Sequence, residues 1–147
     1  MSNITVYTDA SWDRGKGGGA FWARGDVGRA TGYFPIPMAE DSGECEAIAM
    51  LHSAILVIED PEFEMQINCG ARLILVGDCR PALDYITHGK GAFDRNPTCR
   101  MLSTRLREYA VDFKCNWVKA HQGGKNQRSW LNEWCDKHAR KARLLNG

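Results

Sequence analysis

The 147-residue sequence lacks the features that define several protein classes. No apolar run approaches the roughly 18 residues that a membrane-spanning helix needs. We expect no signal peptide, because polar residues at the start of the sequence lead directly into a predicted strand. The six cysteines form no C-x-x-C pair and show no zinc-finger spacing with the four histidines. We therefore expect a cytoplasmic protein with reduced thiols and no membrane association.

The sequence also lacks a large net charge, but its charges are unevenly distributed. The net charge of +1 gives no indication of a polyanionic partner. Residues 100–147, however, contain 11 of the 19 Lys and Arg residues and only 4 of the 18 Asp and Glu residues. The C-terminal third is therefore the candidate surface for a nucleic acid.

The length and hydrophobic pattern predict one α/β domain spanning residues 1–147. Its first three strands are expected at 4–8, 20–23 and 32–34, with a turn at 13–19 and prolines ending the third strand. The second and third strands would form a hairpin that continues from the first. Two further apolar strands are expected at 73–76, buried on both faces, and at 114–119, also of the buried type. Helices are expected at 42–58, 81–86, 101–109 and 129–145. Right-handed crossovers would place the later strands parallel to the first and beside it.

Two aspartates each follow an apolar strand of this predicted sheet. Asp9 ends the first strand, and Asp78 ends the strand at 73–76. Neighbouring strands lie about 4.8 Å apart, so parallel pairing would bring these carboxylates close together and make them repel each other. A divalent cation such as Mg²⁺ removes that conflict. The alternative is that each aspartate is an ordinary turn or capping residue.

Three further acidic residues lie near predicted helix faces. Glu44 and Glu46 both flank the apolar stripe at the start of the first long helix, and periodicity does not choose between them. Asp136 lies inside the last helix, where an aspartate is less expected than at a cap. It could instead pair with Arg140, which has the i, i+4 spacing of a helical ion pair.

Five motifs in order along the chain resemble those of type 1 ribonuclease H. They are YTDAS (7–11), ECEAIAM (44–50), VGDC (76–79), WVKAHQG (117–123) and NEWCDKHA (132–139). The resemblance extends over residues 4–142 and selects Glu46 over Glu44 as the functional glutamate. It implies a ribonuclease H-like fold, with a five-stranded mixed sheet flanked by helices.

The resemblance also implies a reaction and a set of site residues. Asp9, Glu46, Asp78 and Asp136 would hold two Mg²⁺ or Mn²⁺ ions, and His121 would assist proton transfer or product release. The implied activity is metal-dependent hydrolysis of the RNA strand of RNA–DNA hybrids, which leaves 5′-phosphate and 3′-hydroxyl ends. The enzyme is expected to be a monomer.

Substrate binding is expected to differ from the family pattern. The family's N-P-G after the first motif is absent, the loop between His121 and Asn132 is longer, and no Arg/Lys-rich helix precedes the last strand. We therefore expect hybrid contacts, without sequence specificity, from a scattered set of residues. These are Ser11, Trp12, Lys119, Lys125, Arg128 and Asn132, with further basic residues at Lys137, Arg140, Lys141 and Arg143.

Two other functions are compatible with these motifs. A DNA nuclease or resolvase of the same fold would cleave substrates that contain no ribose. A non-catalytic hybrid-binding module would bind but not cleave, although such a module has no need to place carboxylates near phosphates.

Overall fold

The computed structural model describes residues 2–119 and 127–145; at 127–129 and 132 it describes the backbone alone. Its strands are β1 (Asn3–Asp13), β2 (Lys16–Arg24), β3 (Arg29–Ile36), β4 (Arg72–Gly77) and β5 (Phe113–Trp117). They form a five-stranded sheet of order β3-β2-β1-β4-β5. β1, β2 and β3 pair antiparallel, whereas β4 pairs parallel with β1 and β5. The predicted mixed sheet is confirmed, and β4 lies parallel beside β1 as expected. β5 is also parallel but lies beside β4, not beside β1.

The described helices are α1 (Ser42–Glu59), α2 (Glu64–Asn68), α3 (Arg80–His88), α4 (Pro97–Glu108) and α5 (Gln127–Leu144). The short α2 and two 3-10 turns, Pro61–Phe63 and Ala92–Arg95, were not predicted. α1 begins at the predicted residue, Ser42, and its cap is Asp41, whose carboxylate accepts a hydrogen bond from the Glu44 N–H at 2.8 Å. No helix in the described ranges is long and apolar enough to cross a bilayer.

Helices cover both faces of the sheet. The main core lies between the sheet and α1, α3 and α4, and includes Ile4 and Val6 of β1. On the opposite face, α5 packs over β1 and β2 through Cys135 and Ala139, which are fully buried against Ala20. Because α5 contacts the central strands, its side chains can reach the same end of the sheet as those of β1.

β1 does not end at Asp9, and this corrects the prediction. The strand continues to Asp13 because it keeps pairing with β2, with Asp9 opposite Ala20 and Asp13 opposite Lys16. The turn between the strands is only Arg14–Gly15, both at positive φ (51° and 84°), as in a two-residue hairpin. What ends near Asp9 is the parallel ladder, whose last pair joins Tyr7 to Val76.

The edge strands differ from the expectation in two ways. β3 continues through Pro35, which pairs with Gly18, because an edge strand can accept a residue without an N–H. β5 was predicted to be buried, but Lys114 and Trp117 are exposed because this strand has a neighbour on one side only. The prediction of a strand buried on both faces holds for β4.

Candidate active site

Asp9 lies within β1, where the parallel ladder with β4 has just ended. Its side chain is only 6% exposed, and one carboxylate oxygen accepts a hydrogen bond from the Ala10 N–H at 2.9 Å. Burial and then the charges of Asp78 and Asp136 raise the pKa of Asp9 to about 8, although the Ala10 N–H opposes the shift. A buried carboxylate with such a pKa indicates a place where a positive charge is needed.

Glu46 lies in the first turns of α1, and its carboxyl group lies close to that of Asp9. Burial first, and then the charges of Asp9 and Asp78, raise the pKa of Glu46 well above its usual range. Its second oxygen, Oε2, is buried without a hydrogen-bond partner among the described residues. A buried carboxylate oxygen without a donor is what a cation ligand looks like before the cation is bound.

Glu44, the other glutamate at the start of α1, is surrounded by hydrogen-bond donors. Although burial opposes ionisation, hydrogen bonds from Asn96, the Glu40 N–H and Arg95 together lower its pKa. The Asn96 amide donates to Glu44 at 2.7 Å, and Arg95 lies 3.4 Å away. The donors around Glu44 are thus supplied by the protein itself, and it has a structural role next to the site.

Asp78 follows β4 directly and completes an acidic cluster with Asp9 and Glu46. One ligand atom from each of these three residues lies within 4.8 Å of the others. Each residue comes from a different element, and the parallel pairing of β1 with β4 brings the two aspartates to one end of the sheet. The three oxygen donors, the unpartnered Oε2 and the raised pKa values of Asp9 and Glu46 fit a hard divalent cation.

Asp136, on α5, approaches this cluster but is not one of the three. It is close enough for its charge to raise the pKa of Asp9. Its carboxylate forms an ion pair with Arg140 at 3.1 Å, the i, i+4 pair that the sequence offered as the alternative. The structure therefore shows both the pairing with Arg140 and the proximity to Asp9, and the role of Asp136 as a ligand stays a prediction.

Three cysteines flank the acidic residues, and two of them are fully buried. Cys45 and Cys135 are 0% exposed, and each thiol lies against a carbonyl of β1: Cys45 against Ser11 at 3.6 Å, and Cys135 against Tyr7 at 3.5 Å. Burial raises the pKa of the Cys45 thiol to about 12. These thiols stay protonated at neutral pH and act as small neighbours that keep water away from the carboxylates.

Ser11 and Trp12, predicted to contact the substrate, lie in β1 rather than in a loop. Both side chains are partly buried. The Trp12 indole packs against the main core and donates a hydrogen bond to the Ala39 carbonyl at 3.1 Å. The indole is thus held by the protein, and substrate stacking by Trp12 stays a prediction.

Most of the remaining predicted residues lie outside the described residues or have only their backbone described. His121 and Lys125 fall outside the described residues, as does most of the loop between β5 and α5. Arg128 and Asn132 lie in α5, with only their backbones described. Lys119 is exposed just after β5. The roles of these residues are untested.

Two residues beside the site were not singled out from the sequence. Arg80 begins α3, two residues after Asp78, and its guanidinium carbon lies 4.1 Å from the centre of the Trp117 ring. The Trp117 Nε1–H donates to the Asp78 carbonyl at 3.2 Å. In the sequence, only the position of Arg80 directly after the VGDC motif could have indicated that it lies near the site. Sequence spacing does not reveal its contact with Trp117, because the two residues are 37 positions apart.

Comparison of the sequence with protein-family models and with curated protein sequences gives no match. Comparison of the folded chain with solved structures gives several matches over nearly its full length. A ribonuclease H1 from the halophilic archaeon Halobacterium salinarum has a TM-score of 0.67 and 18% identity, with 99% of each chain covered. The N-terminal ribonuclease H domain of a Mycobacterium tuberculosis protein has a TM-score of 0.68 and 11% identity, covering 99% of this chain and 96% of that one.

A third similar structure is the ribonuclease H domain of prototype foamy virus, with a TM-score of 0.62 and 10% identity, over 98% of this chain and 94% of that domain. At these identities the similarity establishes the fold. The chain has the ribonuclease H fold, and an acidic cluster from three of its elements lies where the parallel ladder between β1 and β4 ends.

Proposed function

We propose that this chain is a metal-dependent ribonuclease H that hydrolyses the RNA strand of RNA–DNA hybrids. The observation that carries the proposal is the acidic cluster of Asp9, Glu46 and Asp78, whose ligand atoms lie within 4.8 Å of one another. Similar folded chains are ribonuclease H enzymes or domains by name, which supports this activity over others.

The carboxylates would hold two Mg²⁺ or Mn²⁺ ions, with Asp136 as the fourth ligand once it leaves Arg140. Such ions, when bound, lower the pKa of a water and stabilise the oxygen that departs from a phosphodiester. The chain's own residues would supply the rest: Asp9 and Glu46 become fully ionised, and the buried thiols beside them exclude competing water. His121 would carry a proton near neutral pH, leaving 5′-phosphate and 3′-hydroxyl products.

Hybrid binding would rely on phosphate contacts from exposed basic residues. Lys119 and the basic residues of α5 are candidates, and contacts of this kind orient a duplex without reading its sequence. We propose further that residues 1–147 act as one catalytic domain, as a monomer, and in the cytoplasm.

The first experiment measures cleavage of a labelled RNA–DNA hybrid with Mg²⁺ or Mn²⁺ and compares Asp78→Asn with the wild type. We expect the variant to lose at least about a hundredfold in rate, because even residues outside the ligand set cost 10–100-fold at metal sites. Circular dichroism should show that the fold is retained.

The matched control for this experiment is Asp84→Asn. Asp84 is exposed on α3, six residues further along the chain, and its substitution removes the same charge. It should cleave like the wild type, whereas wild-type turnover by Asp78→Asn would refute the assignment of Asp78.

The same assay separates the alternative functions. Cleavage of an all-DNA substrate would indicate a DNA nuclease or resolvase. Binding of the hybrid without cleavage in either metal would indicate a hybrid-binding module, and the proposed function would then be wrong.

A further inference from the structure

Arg80 and Trp117 form a stacked pair beside the acidic cluster. Trp117 ends the edge strand β5 with its side chain 44% exposed, and its Nε1–H is fixed to the Asp78 carbonyl at 3.2 Å. Arg80 is exposed at the start of α3, and its guanidinium lies over the Trp117 ring at 4.1 Å. Both residues are thus connected to the backbone of Asp78, a candidate metal ligand: Arg80 follows it by two residues, and Trp117 is hydrogen-bonded to its carbonyl.

Within the part of the chain that the structure describes, the charge of Arg80 is not paired with a carboxylate, in contrast to that of some other arginines. Arg95, Arg105 and Arg140 each form a salt bridge with a carboxylate at 3.5 Å or less. Among the described residues no salt bridge involves Arg80. The cation–π contact with the Trp117 ring restrains the Arg80 side chain, and this contact does not use the guanidinium N–H groups as hydrogen-bond donors.

A nucleic-acid strand that approaches this end of the sheet meets concentrated negative charge. Asp9, Glu46 and Asp78 lie together there, and Asp136 is near. Bound cations would balance those carboxylates, but the phosphates flanking the cleaved one would still need positive partners. An arginine held in place next to Asp78 provides one at little cost in side-chain order.

We propose that Arg80 is a substrate-binding residue that contacts a phosphodiester of the bound strand next to the cleavage position, and that Trp117 positions it. This inference rests on the proposed function and adds a contact for which the sequence motifs gave no candidate. The planar guanidinium can donate two parallel hydrogen bonds to phosphate oxygens, as a lysine cannot. Such a contact orients the strand and carries no sequence preference.

The test compares the hybrid-cleavage kinetics of wild type, Arg80→Gln and Arg80→Lys at several salt concentrations. Arg80→Gln should raise KM about tenfold and change kcat by less than about threefold, because it removes binding common to ground and transition states. It should also reduce the slope of log KM against log salt by roughly 0.9, the value for one lost phosphate contact. Arg80→Lys should keep the salt slope but still raise KM, since it keeps the charge and loses the planar fork.

The control is Arg29→Gln, which removes an equal charge at an exposed position at the start of the opposite edge strand, β3. Its KM and salt slope should match those of the wild type. The inference is overturned if Arg80→Gln behaves like Arg29→Gln, or if it lowers kcat with KM and salt slope unchanged. If the wild type cleaves no hybrid at all, it is the proposed function that fails.

Discussion

Single residues show why the carboxylates of this site favour a cation. Asp9 is buried inside a strand, and its pKa of about 8 means that at neutral pH the folded protein is destabilised by ionising it. Because the folded-state pKa lies above the unfolded one, the penalty is absent below about pH 4, grows as pH rises, and is complete above about pH 8.

Asp9→Asn should therefore stabilise the metal-free protein at high pH. We expect the free energy of unfolding to rise by several kcal/mol at pH 8 and by less than about 1 kcal/mol at pH 4.5. Urea unfolding in a chelator at both pH values measures the difference. Adding Mg²⁺ should stabilise the wild type more than the variant, and a difference that does not depend on pH would contradict the assigned cause.

Glu44 and Glu46 provide a matched pair two residues apart on the same helix. Glu44→Gln should lower the free energy of unfolding by about 1–3 kcal/mol, because Asn96 and Arg95 would then face a neutral amide instead of the Glu44 carboxylate. Because the folded-state pKa of Glu44 is lowered, that contribution is present above the unfolded pKa and is lost as pH falls.

Glu46→Gln should have the opposite profile. It should leave stability in a chelator unchanged or higher, because a strained buried charge is removed. Its thermal shift on adding Mn²⁺ should fall strongly, whereas Glu44→Gln should keep most of that shift. Equal loss of the Mn²⁺ shift in both variants would show that the two glutamates are not divided in this way.

Local pattern predicted the elements better than their limits. Apolar and polar residues alternate around Val6, and apolar residues form a continuous run around Leu75; both patterns are typical of strands. β1 and β4, and with them the closeness of Asp9 and Asp78, could therefore be predicted from the sequence. The continuation of β1 to Asp13 depends on pairing with β2, which no local signal in β1 reports. Similarly, Asp41 and Ser42 are both good caps, and only the hydrogen bond to Glu44 distinguishes them.

The contact between α5 and β2 controls where Asp136 lies. A Cβ added to Gly18 would come within 2.3 Å of backbone atoms of Ala139 and Arg143. Gly18→Ala should force α5 away from the sheet and cost about 1–3 kcal/mol of stability. Displacing α5 should also weaken Mn²⁺ binding, as isothermal titration calorimetry can measure.

Gly32→Ala is the control for this prediction. Gly32 lies on the edge strand β3, and a Cβ added there would approach the ring of Phe21 at 2.6 Å. That side chain can move, so we expect a smaller loss of stability and no change in Mn²⁺ affinity. A weaker Mn²⁺ affinity in Gly32→Ala as well would show that α5 packing is not the cause.

At the scale of the whole molecule, acidic and basic residues are unevenly distributed along the sequence. The candidate cluster draws its acids from the first 78 residues, whereas most Lys and Arg residues occur after residue 99. In the fold, β5 ends beside the acidic cluster at Trp117, and α5 packs over β1 and β2. The pairing of Arg80 with Trp117 could not be read from the sequence, because it depends on strand order rather than on spacing.

The place of β1 at the centre of the sheet has a consequence during protein synthesis. β1 cannot pair with its parallel neighbour until residues 72–77 have emerged, and Asp136 joins the site only after α5 has been synthesised. A nascent or cleaved fragment that lacks either end would therefore possess part of the acidic set and could not assemble the rest. The proposed nuclease activity would therefore require every element from β1 to α5.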